Sequence, residues 1–363
     1  MYDTAKYYDE KIPIEQILYG EFIKYDSMLK LVGREFAGSE ATEINVFIDL
    51  YQFFLPIFTH LRVENYYSMT ACALNYCAHI RDYFRTRHGV KTNIVLISTL
   101  NMSANNTKYY PKYNYKYRQR IEYNEKIMGV YKENMSVLKL LTAWIPKTYY
   151  KEGTVEAGVM IRHAILNEFN NGLPNVIISQ SDYMYQLPSY LPQTVVFRKK
   201  SSIVDRSRLD ESFSYNGLTA GMYYIKDNKG SVKGDITLPS NAMSVFMTLN
   251  GIPRYGINSL YNISTVLKIV NTMDVNDITY GDIDRMYEHI ANCIPTKRLA
   301  LDRDGFANRF MAIDARFQEK LYAMSPEAND KTYLTGTCNI QGVKEINDKY
   351  FIKTPIDLQR LIQ

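Results

Sequence analysis

The sequence predicts an α/β protein in which a parallel-sheet domain is followed by a helical region. Three observations carry that expectation. A short β-rich run ending in an aspartate, Ile44 to Phe54, precedes a stretch of helical period from Tyr67 to Arg87 and a second buried run, Asn93 to Ile97. Strand, helix, strand is a βαβ unit, which implies parallel pairing and a right-handed crossover. Two further β-rich runs, Asn175 to Ser179 and Thr194 to Arg198, extend the sheet, and past Pro239 the chain reads as helical to about Met324.

Residues 1–40 carry apolar positions at helical spacing in IEQILYGEFIKYDSMLKLV, which Gly33 and Gly38 then break, so they read as a helical N-terminal extension. Met69, Cys72, Tyr76, Ile80 and Phe84 keep one helix face apolar, and Gly89 ends that helix. Asn101 to Arg120 is polar, basic and rich in tyrosine, and reads as a loop or irregular lid. Tyr123 to Trp144 forms an amphipathic helix stopped by Pro146, and a helix around Val155 to Phe169 precedes the strand at Asn175. Met222 to Gly234 reads as a β-hairpin turning at Asn228-Lys229-Gly230. The expected organisation is an extension at 1–40, an α/β domain at 41–238, a helical region at 239–330, and a weakly patterned tail at 331–363.

Composition excludes several classes. A 46% hydrophobic content supports a real core, and no apolar run approaches the roughly 20 residues of a membrane span, so no membrane partner is expected. The opening MYDTAKYYDEKIP lacks a secretory pattern, giving an intracellular expectation: host cytoplasm or virion. The four cysteines form no CxxC pair and read as buried, reduced thiols. The five histidines show no metal-ligand spacing, and Asp302-Arg303-Asp304-Gly305 lacks the later ligands of a calcium loop and reads as a turn. No Walker-A, G-x-G-x-x-G or G-x-S-x-G motif is present. The 32 tyrosines, with frequent Asn, Lys and Ile, suggest an AT-rich, viral coding sequence.

In an open parallel sheet, functional groups collect beyond the carboxyl ends of the strands. Asp49 and the stretches after NIVLI and NVIIS stand there. The ordered series IDLYQFF, NIVLIS, PKYNYKYRQR, a long helix, TVEAGVMI and VIISQSDYMYQL resembles the nuclease domain of the bacteriophage-type 5′-exonuclease/flap endonuclease (PIN-like) family. The resemblance runs from about residue 44 to about 275 and includes LNGIPRYGINSLYNISTVLKIV, where Ile252-Pro253 and Gly256-Ile257 match the family's helix-three-turn-helix hairpin. It implies a metal-binding Asp ending the first strand, a basic segment facing phosphate, a V-E-A-D-D helix start, an S-x-D-x-D-x-x-x-L strand end, and a hairpin gripping duplex backbone. It also implies Mg²⁺ or Mn²⁺ for a live enzyme.

The departures from that pattern fall on the carboxylates. Cleavage by paired divalent ions needs several converging anionic oxygens. Asp49 keeps the first position, but Ser98-Thr99-Leu100 stands where an acid is expected after the second strand. Glu156 survives while Gly158 and Val159 occupy two aspartate positions, and Ser181 and Tyr183 occupy two more, with Asp182 one residue off register. Met247-Thr248-Leu249-Asn250, before the hairpin, is neutral. The expectation is therefore a catalytically degenerate pseudoenzyme with no cofactor, Asp49 and Glu156 holding at most one weak ion.

Lys108 to Arg120 interleaves cations with tyrosines and contains no acid. Cations neutralise phosphates and tyrosine faces stack on unpaired bases. Lys112, Tyr115, Lys116, Arg118 and Arg120 are the candidate nucleic-acid contacts, with Arg254 in the hairpin. The bland alternative is a solvated loop whose tyrosines pack on the core. The expected partner is DNA or another nucleic acid, and viral proteins are a further class. Two rival functions stand beside non-catalytic binding: an active nuclease with a remodelled metal site, and a virion or polymerase-complex scaffold that binds no DNA.

Overall fold

In the computed structural model the described residues are 40–51, 68–99, 104–113, 125–179, 181–188, 190–191, 193–197, 222–226, 232–237, 242–252, 255–329, 339–350 and 356–362. The expected N-terminal helix lies outside them. Strand β1 (Glu43–Asp49) is the centre of a five-stranded, all-parallel sheet. To one side lie β2 (Lys91–Thr99) and β3 (Thr148–Gly153); to the other lie β4 (Asn175–Ile178) and β5 (Thr194–Phe197). The order β3-β2-β1-β4-β5 reverses direction at β1, so the crevice at its carboxyl end, between β1 and β4, is a topological switch point.

The near-continuous apolar runs in β1, β2 and β4 follow from burial on both faces. Ile44, Val46 and Ile48 meet α1 (Ser68–His88) and α3 (Glu125–Thr142). Phe47, Val95 and Ile177 meet α4 (Ala157–Asn167) on the other face. Between α1 and α3, residues expected to be loop hold a six-residue helix, α2 (Ala104–Tyr109), which the buried Asn106 secures by donating to Ala312 O at 2.6 Å. Strand β3 was not legible as a strand, because TYYKEG lacks an apolar run. It buries Lys151 by pairing it with Glu168 at 2.9 Å, both side chains under a tenth exposed.

A row of amides crosses the sheet near its amino-terminal edge. Asn93 donates to Asn45 at 3.2 Å, Asn45 to Asn175 at 3.0 Å, and Asn175 to Thr194 Oγ1 at 3.4 Å. Asn45 faces Asn93 and Asn175 directly in the strand register, and Asn175 faces Thr194. A one-residue slip would move each amide to the opposite face, so the row specifies the pairing.

Beyond the sheet come the expected antiparallel pair, β6 (Met222–Lys226) and β7 (Val232–Thr237), and then helices. These are α5 (Met243–Asn250), α6 (Ile263–Thr272), α7 (Val275–Tyr280), α8 (Ile283–Cys293), α9 (Arg303–Ile313), α10 (Ala315–Ala323) and α11 (Pro326–Asn329). Several of these helices start at acceptor side chains that satisfy orphan backbone N–H groups. Asn262, Asp282, Asp302 and Asp314 cap α6, α8, α9 and α10. Asp302-Arg303-Asp304-Gly305 is thus a helix cap rather than a turn between other elements. In the segment read as a tail, α12 (Ile340–Tyr350) and α13 (Leu358–Ile362) place Val343 and Leu361 in the core around α1.

Candidate functional site

At the switch point the carboxyl end of β1 delivers Asp49 inward, 2% exposed. Ser179, just past β4, donates its Oγ proton to Asp49 Oδ2 at 2.7 Å and accepts from Ser181 N at 3.0 Å. Ser181 Oγ in turn accepts from Tyr183 N at 3.2 Å and pairs with the Tyr255 hydroxyl. Buried hydrogen bonds through Ser179, the Ser181 N–H and hydroxyl, and Tyr255 therefore connect the central strand to the turn between α5 and α6. That turn is held by a bridge between Ile252 and Ile257, and by Gly251 at φ +80°, where a Cβ would lie 2.5 Å from Ile257 O.

The sequence reading names Asp49 and Glu156 as residual acidic positions and does not name Ser179, Tyr113 and Tyr255 as site residues, which the fold brings beside them. Tyr255 stacks on Tyr113 with ring centroids 5.4 Å apart and planes 19° apart. Both rings are buried, as is Glu156 immediately before α4. Burial pushes the Tyr113 and Tyr183 hydroxyls well above the ordinary phenol range, and the negative charge of Glu156 pushes them in the same direction. These phenols stay neutral, so they supply protons rather than anionic oxygen. Ser98, standing where the resemblance implies an acid, pairs with the Tyr131 hydroxyl at 3.0 Å in the core.

Gly158 and Tyr183, two positions where the resemblance implies carboxylates, pack against each other. A Cβ on Gly158 would fall 2.6 Å from Tyr183 Cδ1 and 2.9 Å from its Cε1. The ring, fully buried, covers the start of α4 next to Glu156. Among the described residues no three His, Cys, Asp or Glu side chains gather closely enough to hold a metal ion. Asp49 already accepts a hydroxyl proton from Ser179, and among the described residues Ser179, Ser181, Tyr113, Tyr183 and Tyr255 bring hydroxyls and aromatic rings to this end of the sheet. The described carboxylates here, Asp49 and Glu156, are fewer than the several converging anionic oxygens that a paired Mg²⁺ or Mn²⁺ centre needs. The Asp182 side chain lies outside the described residues.

In the basic segment, Lys108 and Lys112 are exposed, whereas the tyrosines between and beside them pack on protein. Tyr109 meets Phe317 edge-on at 5.4 Å, and the Arg309 guanidinium lies 5.6 Å from the Tyr110 ring centre. Tyr113 belongs to the core of the helical region. Arg309, 1% exposed, donates to Asn258 O at 2.5 Å, tying α9 to the turn after α5. Tyr115, Lys116, Arg118, Arg120 and Arg254 lie outside the described residues. Met247 to Asn250 are buried in α5, where Thr248 donates to Ser244 O at 2.7 Å.

No family model matches the chain, and no curated protein matches it. Solved structures of a bacteriophage T5 enzyme are similar to it in fold at low sequence identity. A T5 flap endonuclease pseudo-enzyme–product complex with DNA and metal ions gives a TM-score of 0.47 at 10% identity, covering 88% of this chain and 99% of that one. The T5 protein co-crystallised with metal ions gives 0.48 at 12% identity over the same shares. A T5 5′-exonuclease mutant gives 0.44 at 10% identity, over 89% of this chain and 100% of that one. The chain is an α/β protein with a five-stranded parallel sheet and many helices.

Proposed function

We propose that this chain is a non-catalytic, nucleic-acid-binding member of the 5′-exonuclease/flap endonuclease group, of viral origin, working in the host cytoplasm or a virion. One observation carries the non-catalytic reading: the Tyr183 ring fills the space over Gly158 beside Glu156, where phosphodiester hydrolysis would need anionic ligands. Catalysis of that kind is positioning plus electrostatics on metal-bound oxygens, and a neutral aromatic plug supplies neither. On this reading residues 41–238 are the nuclease-like domain, 239–330 the helical region, and the α5–turn–α6 unit a helix-three-turn-helix element.

Nucleic acid as the partner is supported by the exposed Lys108 and Lys112 opening an acid-free segment that continues through Lys116, Arg118 and Arg120. Replacing carboxylates by serine and tyrosine also removes charge that would repel phosphate. The test has two arms. Incubation with 5′-labelled flap and gapped DNA and Mg²⁺ or Mn²⁺ should give no turnover; turnover abolished by Asp49→Ala would make this an active nuclease. Fluorescence anisotropy with the same DNA should show binding that weakens with salt. Lys116→Ala and Arg118→Ala should each lower the salt slope by about 0.7–0.9 if each cation meets one phosphate. No affinity even at low salt would leave a protein scaffold as the function.

A further inference from the structure

Two short segments of this chain share one pattern. Tyr110-Pro111-Lys112-Tyr113 and Ile252-Pro253-Arg254-Tyr255 each carry proline second, a cation third and tyrosine fourth. In each, the N–H of the fourth residue donates to the carbonyl of the first at 2.9 Å, Tyr113 to Tyr110 and Tyr255 to Ile252. Proline presets the backbone at the second position of a four-residue turn, so the likeness has a local cause. The segments are far apart in sequence, yet their fourth residues meet. The Tyr113 and Tyr255 rings stack face to face, and both are buried.

A second tie runs beside the stack. The buried Arg309 guanidinium lies 5.6 Å from the Tyr110 ring centre and donates to Asn258 O at 2.5 Å. Helix α9 thereby links the first residue of one turn to the backbone just past the other. Tyr110 and Tyr113, the two ends of the first turn, are thus both held against the turn between α5 and α6. Lys112 lies between those ends and is exposed, as is Asn258. Behind the stack, the Tyr255 hydroxyl pairs with Ser181, and Tyr113 lies close enough to Glu156 to feel its charge. The pair is therefore anchored on the sheet side as well.

We propose that the Tyr113–Tyr255 stack is a positioning joint. It holds the Lys112 turn and the α5–α6 turn as one rigid surface for the sugar–phosphate backbone of a nucleic-acid strand, with Lys112 meeting phosphate. This inference rests on the nucleic-acid reading above and assigns the two tyrosines a part in it. Their rings are buried, so they act through Lys112 rather than by touching the strand. A cation fixed in place beforehand gives up less freedom on binding than one on a loose loop. Arg254 holds in the second segment the place that Lys112 holds in the first, which matches two cations to one run of phosphates. Such contacts fix position and read no base sequence.

Two measurements test this. The first needs no nucleic acid: nitroxide labels on Lys112→Cys and Asn258→Cys, in a Cys293→Ser/Cys338→Ser background where Cys72 and Cys77 are buried. Pulsed electron resonance should give one distance no wider than the spread of the labels themselves. Tyr113→Leu should broaden it, and Tyr113→Phe, which keeps the ring, should leave it narrow. The second is anisotropy with the flap DNA used above. Lys112→Ala should lower the salt slope by about 0.7–0.9 when residue 113 is Tyr or Phe, and leave it unchanged in Tyr113→Leu. A ring serving stability alone would leave the Lys112→Ala decrement intact in Tyr113→Leu, and that result overturns the inference. A broad distance with Tyr113 present overturns it too, as does a distance that Tyr113→Leu leaves narrow. Should Tyr113→Leu fail to fold, the width with Tyr113 present decides alone. A narrow distance with no DNA affinity at low salt would overturn the nucleic-acid reading, and the partner named here with it, while the joint itself would stand.

Discussion

Replacing Gly158 by alanine probes the aromatic plug directly. The new methyl would lie 2.6 Å from Tyr183 Cδ1, 2.9 Å from Cε1 and 3.0 Å from Met184 Sδ. Real side chains do not tolerate the first two distances, and Tyr183 and Met184 are both fully buried, so the ring must shift within a packed core. Inserting one methyl group into such a core costs about 1–3 kcal/mol. Alanine recovers up to about 1 kcal/mol of helix propensity in a helix interior, and less at the second residue of α4. The net expectation is destabilisation of about 1–2 kcal/mol, read as a lowered urea midpoint at unchanged slope. Tyr183→Leu alone should also destabilise, by leaving a cavity, but the pair Gly158→Ala/Tyr183→Leu should cost less than the sum of the single changes. A single-variant effect within 0.5 kcal/mol of zero, or strict additivity in the cycle, would refute direct packing between these positions.

Asn45→Ala should cost about 2–4 kcal/mol in urea unfolding, because it strips a partner from the buried Asn93 and Asn175 amides at once. Lys151→Met should cost about 3–5 kcal/mol by leaving Glu168 charged and unpaired in the interior, and the double variant Lys151→Met/Glu168→Leu should regain most of that loss. The thiols give a pH dependence: burial pushes Cys77 up to about 12 and Cys72 higher still, from an ordinary value near 9. The folded state holds these protons while the unfolded chain releases them, so stability is intact below pH 9 and declines as pH rises. Between pH 9 and 10 the slope approaches about 1.4 kcal/mol per pH unit for each thiol, and Cys72→Ala/Cys77→Ala should flatten it.

How much of this was readable in the residues depended on whether local chemistry or distant packing decides each element. β1, β2 and β4 are buried on both faces, so their apolar runs announce themselves, as do α1 and α3 through their apolar periodicity. β3 does not, because its strand character comes from lying against β2 and from Glu168, seventeen positions on, neutralising Lys151. α12 and α13 were illegible for a similar reason: their apolar face is defined by α1, far away in sequence. At the candidate site, Asp49 and Glu156 were visible from strand-end and motif position. Ser179, Tyr113 and Tyr255 were not, since only the assembled fold brings residues 49, 113, 156, 179 and 255 together. In a chain with so many tyrosines, no single one stands out by composition.

Placing the first strand at the middle of the sheet also constrains the order of assembly. β1 can pair with β2 as soon as α1 has formed, but its other edge waits for β4, whose Asn175 lies 130 residues beyond Asn45. At a synthesis rate of about 5–20 residues per second, that edge stays open for roughly 7–25 s, with backbone N–H and C=O groups unpaired beside one of the most apolar segments of the chain. During translation this exposed ribbon is where a neighbouring nascent copy would add itself, so yield of native protein should respond to chaperone supply and to expression rate more than final stability alone would suggest.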